Sequence, residues 1–121
     1  MLHLPPAMLL VQACTVSPPT DRYDALPAKS AEGRCSGEGR NRIVELLRET
    51  STTYGLKIAG GEAGTRIVTL SGRQSQISVA FGVFDPRDVI IGKYPAAGAN
   101  QDHSPAFDII AAAVRNCEKA R

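Results

Sequence analysis

Residues Gln76–Phe84, with the sequence QISVAFGVF, show the clearest structural pattern in this chain. Every second residue in it is large and apolar, and the residues between them are small or polar. The apolar set is Ile77, Val79, Phe81 and Val83. A period of two residues is typical of a β-strand with one buried face and one exposed face. We therefore expect Gln76–Phe84 to form a strand with one side against a core.

Three other short segments near this stretch also have strand character. They are Leu56–Ala59, Arg66–Leu70 and Val89–Tyr94. The segments that separate consecutive strands are short and contain glycine or proline, as turns do. Turns of this length join antiparallel neighbours, because a parallel connection needs a longer crossover. The sequence thus predicts a four-stranded antiparallel meander.

A helical pattern precedes the strands, over residues 36–53. Ser36 or Asn41 is suited to cap its start, because a short polar side chain can accept a hydrogen bond from the first turn. Gly55 is suited to end it, because glycine readily adopts the left-handed conformation found after helices. The apolar stripe at helical spacing consists of Ile43, Leu46, Leu47 and Thr50.

A second helical pattern follows the strands. Ser104 is placed as its N-cap and Pro105 as its first residue. Its apolar stripe consists of Phe107, Ile110, Ala111, Val114 and Cys117. We expect an α+β domain of two layers over residues 35–121, with the N-terminal helix, the meander and the C-terminal helix in that order and both helices on one face of the sheet.

The composition indicates one small globular domain. The chain has 121 residues, of which 43% are hydrophobic and 21% charged. Its 14 Lys and Arg against 12 Asp and Glu give a formal net charge of +2, and this balance does not indicate nucleic acid binding. No spacing of Cys and His is typical of a metal site, and no cofactor-binding motif is present. We expect neither a metal nor a cofactor.

The N-terminal residues end an apolar run with Val11, Gln12, Ala13 and Cys14. This run resembles the lipobox of bacterial lipoprotein signal peptides, in which an aliphatic residue, a tolerant position and a small residue precede a cysteine. The resemblance implies removal of residues 1–13 and acylation of Cys14, since acyl chains anchor a protein to a membrane. Thr15, rather than Asp, then implies the outer membrane of a Gram-negative bacterium.

Residues 14–34 are expected to form a flexible tether between this anchor and the domain, because they contain prolines and few large apolar groups. The anchor would be the chain's one contact with a membrane. The alternative is a disordered N-terminal tail that carries a free thiol.

The two other cysteines also bear on the compartment. If Cys14 is acylated, Cys35 and Cys117 remain as a pair, and paired cysteines suit an oxidising compartment such as the periplasm. Cys35 precedes the first predicted helix and Cys117 lies near the end of the last, so antiparallel helices would bring them together. We expect a disulfide between them; two unrelated buried thiols are the alternative.

Catalytic residues are not evident. Asp102, His103 and Ser104 are consecutive, whereas a catalytic triad converges from separate parts of a fold. We expect instead a loop that leads into the last helix.

Charged residues on or beside the strands are the other candidates. Arg66, Arg73, Arg87 and Lys93 are expected on the outer face of the sheet, where they form either an ordinary solvated surface or a recognition surface. Asp102 and His103, in the loop of residues 95–103, are expected to belong to such a recognition surface, since loops often carry function on a rigid scaffold.

These features favour a non-enzymatic lipoprotein of the cell envelope that binds a protein partner in the periplasm. Small periplasmic lipoproteins with a similar layout include immunity proteins that inhibit secreted toxins and accessory subunits of envelope assemblies. Two alternatives stay open. One is a small periplasmic enzyme with a site near Asp102 and His103, and the other is a cytosolic regulatory domain with a coincidental lipobox.

Overall fold

A computed structural model describes Tyr23 and residues 25–60, 66–96 and 105–117. The described residues form an α+β fold with two helices and a five-stranded antiparallel sheet. The elements in chain order are β1 (Lys29–Arg34), α1 (Gly37–Tyr54), β2 (Lys57–Gly60), β3 (Ile67–Ser71), β4 (Ser75–Phe81), β5 (Asp88–Pro95) and α2 (Pro105–Arg115). Neither described helix is long and apolar enough to cross a membrane.

The predicted meander is present as four consecutive antiparallel strands, β2 to β5. Val79 in β4 lies opposite Val68 in β3 and Ile91 in β5, so the apolar positions of three strands form one row across the sheet. Because neighbouring residues on one strand face opposite sides, this register places every large apolar residue of the row on the same face. That face packs against the helices.

The sheet has a fifth strand that the sequence analysis missed. β1 pairs with β5, so the strand order is β1-β5-β4-β3-β2, and the first element is a strand rather than the predicted helix. β1 falls within residues 14–34, which were expected to be a tether. Its sequence KSAEGR has Ala31 as its one apolar residue, so it lacks the alternation that marks a half-buried strand.

Packing of helix α2 explains why such a polar segment joins the sheet. A Cβ atom on Gly33 would overlap the carbonyl oxygen of Val114, so the backbone of α2 lies directly over β1. A glycine allows this close approach, and Ala31 packs beside the core. The strand is therefore held by backbone pairing and by helix contact rather than by large side chains.

Helix α1 starts at one of its two predicted caps and ends at the predicted glycine. Ser36 is the N-cap, and its hydroxyl oxygen accepts a 3.1 Å hydrogen bond from the backbone N–H of Gly39. Gly55 is the C-cap with φ of 65°, a conformation that glycine adopts without strain. Its backbone N–H donates to the carbonyl oxygen of Ser51.

The core lies between the helices and one face of the sheet. The predicted stripes of both helices contribute to it, as do alternate residues of β3, β4 and β5. Its buried members are Cys35, Ile43, Leu47, Val68, Leu70, Ile77, Val79, Phe81, Val89, Ile91, Ala106, Phe107, Ile110, Ala111 and Val114. Val83 was expected among them, but β4 ends at Phe81 and Val83 is 49% exposed. Gly82, with φ of 66°, turns the chain away at this point.

Candidate partner-binding surface

The turn between β4 and β5 is held by its own hydrogen bonds. The Asp85 carboxylate accepts a 2.9 Å bond from the backbone N–H of Arg87, and the Asp88 carboxylate accepts a 3.0 Å bond from the backbone N–H of Asp85. The backbone N–H of Asp88 also donates to the carbonyl oxygen of Asp85 at 2.9 Å. Aspartate side chains that bond to nearby backbone in this way fix the shape of a turn. The residues just before the turn are thus presented on a rigid support.

Two apolar side chains project from this support. Phe84 is 86% exposed and is followed directly by the turn, and Val83 beside it is half exposed. Ile67, at the start of β3, is 52% exposed and pairs with Ala80 near the same end of β4. Large apolar groups gathered in one exposed place often mark an interaction site, whereas scattered ones do not.

Backbone pairing brings several arginines to the same end of the sheet. The backbone N–H of Phe81 donates to the carbonyl oxygen of Arg66 at 2.8 Å. The backbone N–H of Cys35 donates to the carbonyl oxygen of Arg87 at 2.9 Å. Arg34, at the end of β1, lies opposite Asp88 in the backbone register of β1 and β5. We call this region the hairpin-end surface. It consists of Arg34, Arg66, Ile67, Val83, Phe84 and Arg87.

The charges of the hairpin-end surface are partly compensated. The Arg34 guanidinium lies 3.3 Å from the Asp85 carboxylate, and both side chains are about half exposed. Such an exposed pair contributes little to stability. Within the described part of the chain, neither Arg66 nor Arg87 forms an ion pair. This end of the sheet therefore carries three exposed apolar side chains and, among the described residues, two arginines without an ion pair.

The predicted basic residues do not form one outer face. Arg66 and Arg87 come together at the hairpin-end surface. Arg73 lies in the β3–β4 turn, at the opposite end of these strands, where the N–H of Gly72 bonds to the carbonyl oxygen of Ser75.

Lys93 does not lie on the outer face, so that part of the prediction is wrong. Its side chain has no solvent-exposed area. Lys93 lies opposite Ile77 and shares the helix-facing side of β5 with Val89 and Ile91, as the alternation along the strand requires. Its ammonium nitrogen is 5.9 Å from the centroid of the Phe107 ring, within the range of a cation–π contact. Because it is buried, it is not available to a partner.

Several other predicted residues lie outside the described residues. They are Cys14, Asp102, His103 and Ser104. The lipidation site, the candidate loop residues and the proposed cap of α2 are therefore still predictions from the sequence.

Cys35 and Cys117 are joined by a disulfide bond in this structure. Their Cα atoms are 5.2 Å apart, and the bond links two residues separated by 82 positions. It ties the end of β1, just before α1, to the chain just after α2. Gly39, in the first turn of α1, lies against it, since a Cβ there would be 2.7 Å from the Cys117 sulfur. The bond therefore fixes the strand–helix junction behind the hairpin-end surface.

A concave region lies between the two helices. It is a groove of about 380 Å³ next to the disulfide, with an apolar floor that includes Ile43, Leu46 and Ala113. Its rim carries Glu45 and Glu49. The part of the chain that the structure describes has no group of three or more His, Cys, Asp or Glu side chains that could hold a metal ion.

Arg34, Ile67, Val83 and Phe84 are the residues of the hairpin-end surface that sequence reasoning missed. Periodicity assigned Val83 to the buried face because the alternation continues through it. The available signal was local: Gly82 interrupts the strand, and a phenylalanine directly before Asp85-Pro86 stands at a turn, where no core can cover it.

The comparisons with known proteins give no relative. No protein-family model matches the chain, and no curated protein or solved structure is significantly similar to it.

Proposed function

We propose that this protein is a non-enzymatic binding protein that engages another protein through its hairpin-end surface. The observation that carries the proposal is Phe84, a large aromatic side chain left almost fully exposed on a turn held by three hydrogen bonds. Aromatic residues and arginines are enriched among the residues that dominate binding energy. A rigid turn loses little conformational entropy on binding, which favours its use as an anchor.

The compartment we propose is the periplasm, with the protein tethered to the outer membrane through a lipid on Cys14. The lipobox-like residues 11–14 support this part of the proposal, and the Cys35–Cys117 bond suits an oxidising compartment. The partner would be a secreted toxin that the protein inhibits, or a subunit of an envelope assembly.

The direction of β1 supports a protein partner over the anchoring bilayer. Lys29 pairs with Lys93 at one end of the sheet, and Arg34 pairs with Asp88 at the other. The N-terminal segment enters at the Lys29 end, whereas Phe84 lies at the Arg34 end. The six residues of β1 separate these ends by roughly 17 Å. A lipid at Cys14 would leave the hairpin-end surface free to face away from the membrane.

Site-specific photo-cross-linking in cells tests the proposal. A photoreactive phenylalanine analogue replaces Phe84 in one variant and Leu26 in another, with the full chain expressed in a bacterial host that carries the native neighbouring genes. Leu26 is 79% exposed and lies just before β1, at the other end of the sheet, so it is a matched control. We expect a discrete protein adduct from position 84 that position 26 does not give. Identical adducts, or none from position 84, would contradict the proposal.

An intact mass under non-reducing and reducing conditions tests the compartment. We expect loss of residues 1–13, acyl addition on Cys14 and a gain of two hydrogens on reduction. A full unmodified chain with three free thiols would contradict the envelope assignment and favour a cytosolic partner.

A further inference from the structure

Building on the proposed function, we infer that the partner of the hairpin-end surface is an acidic protein, with an apolar pocket for Phe84 bordered by carboxylates. This inference is based on the charges at the Phe84 end of the sheet. Arg34, Arg66 and Arg87 all reach this end of the sheet through backbone pairing, and all three are exposed.

The acidic residues of the same region are already used inside the protein. The Asp85 carboxylate bonds to the Arg87 backbone and pairs with the Arg34 guanidinium, and the Asp88 carboxylate bonds to the Asp85 backbone. Two carboxylates against three guanidinium groups leave this region with an excess of positive charge. Among the described residues, Arg66 and Arg87 have no acidic partner of their own.

Arginine in this arrangement selects for carboxylates. Its planar guanidinium matches a carboxylate with two parallel hydrogen bonds, and it is weakly enough hydrated to lie at an interface. When a partner covers Phe84, hydrogen bonds around it would be shielded from water and therefore strengthened. A fourth guanidinium lies close behind the surface, where Arg40 stacks 4.6 Å from the centroid of the buried Phe81 ring. Positive charge at this end also speeds the approach of an acidic partner.

Selection from a random peptide library displayed on phage tests the inference without knowledge of the partner. The immobilised full chain is the bait, and peptides that also bind the F84S variant are removed. The retained peptides are then measured against wild type, against the double variant R66S/R87S and against R73S. Arg73 is an exposed arginine at the opposite end of the strands, so R73S controls for loss of charge alone.

We expect the retained peptides to combine a net negative charge with apolar residues. Their binding should weaken at least about tenfold in R66S/R87S, stay within about twofold in R73S, and fall as ionic strength rises. Phe84-dependent peptides without net negative charge, or with equal affinity for R66S/R87S, would overturn the inference and leave the proposed function standing.

Absence of any Phe84-dependent peptide would overturn both the acidic-partner inference and the proposed function. Co-sedimentation with phosphatidylglycerol vesicles is the companion measurement. Phe84-dependent vesicle binding without peptide binding would assign the surface to anionic lipid and so overturn the acidic-protein inference.

Discussion

Loss of the Cys35–Cys117 bond should lower the free energy of unfolding by about 4.5 kcal/mol. The bond closes a loop between residues 82 positions apart, and the chain-entropy model gives that value for such a loop in the unfolded state. Small domains have a total stability of about 5–15 kcal/mol. The bond is therefore expected to supply a large part of the stability of this fold.

The assay is equilibrium unfolding in guanidinium chloride. For a slope of about 3 kcal/mol/M, which is reasonable for a domain of this size, the midpoint should fall by about 1.5 M. Wild type refolded under reducing conditions and the double variant C35A/C117A should both show this shift. Both samples are needed because Cys35 is buried. Its replacement by alanine also leaves a small cavity, whereas reduction breaks the bond and keeps the side chain.

The matched control is C14S, which removes the third cysteine and should leave the midpoint unchanged. A midpoint shift below about 0.3 M in both the reduced protein and the double variant would contradict this prediction, because closing the loop would then contribute almost nothing to stability.

Three glycine substitutions test the packing around the two helices. G33A should destabilise by about 2 kcal/mol or more in thermal unfolding, because its methyl group would overlap the carbonyl oxygen of Val114; wild-type stability would contradict the packing of α2 on β1. G39A should destabilise the oxidised protein, because its Cβ would lie 2.7 Å from the Cys117 sulfur. Alanine otherwise favours a helix, so this loss of stability should shrink or reverse after reduction of the disulfide. G37A, in the same helical turn but with open space around it, should stabilise by about 0.5–1 kcal/mol in both states, and a loss equal to that of G39A would contradict the account.

The elements with strong periodicity were predictable from the sequence. Gln76–Phe81 has alternating apolar residues, and both helices have an apolar stripe with recognisable start or stop residues, so each was assigned to the correct type. The disulfide was expected because Cys35 and Cys117 remain as a pair if Cys14 is acylated, and because antiparallel helices would bring them together. In these cases local preference and tertiary packing favour the same structure.

The first strand was not predictable, because its stability comes from its neighbours. Lys29–Arg34 has almost no apolar side chains of its own and is held by pairing with β5 and by close contact with α2 at Gly33. Lys93 was misplaced for a related reason. Charge favours a solvated position, but alternation with Ile91 puts Lys93 on the helix-facing side, and in a central strand that periodicity prevailed.

The hairpin-end surface was half predictable. Arg66 and Arg87 were candidates because they lie beside strands, yet only the register of β3, β4 and β5 shows that they share one end and that Arg73 does not. The apolar alternation continues to Val83, although β4 ends at Phe81 and the chain turns at Gly82, so it did not indicate that Val83 and Phe84 are exposed.

The decisive measurement is the affinity of the F84S variant for the partner captured at position 84. Burying a phenylalanine contributes about 1.5–3 kcal/mol, so calorimetric titration should show binding weaker by roughly 10- to 150-fold. L26S should bind as wild type does, and both variants should keep the wild-type unfolding midpoint, since both side chains are exposed. Binding by F84S within about twofold of wild type would contradict the assignment of the hairpin-end surface as the binding site.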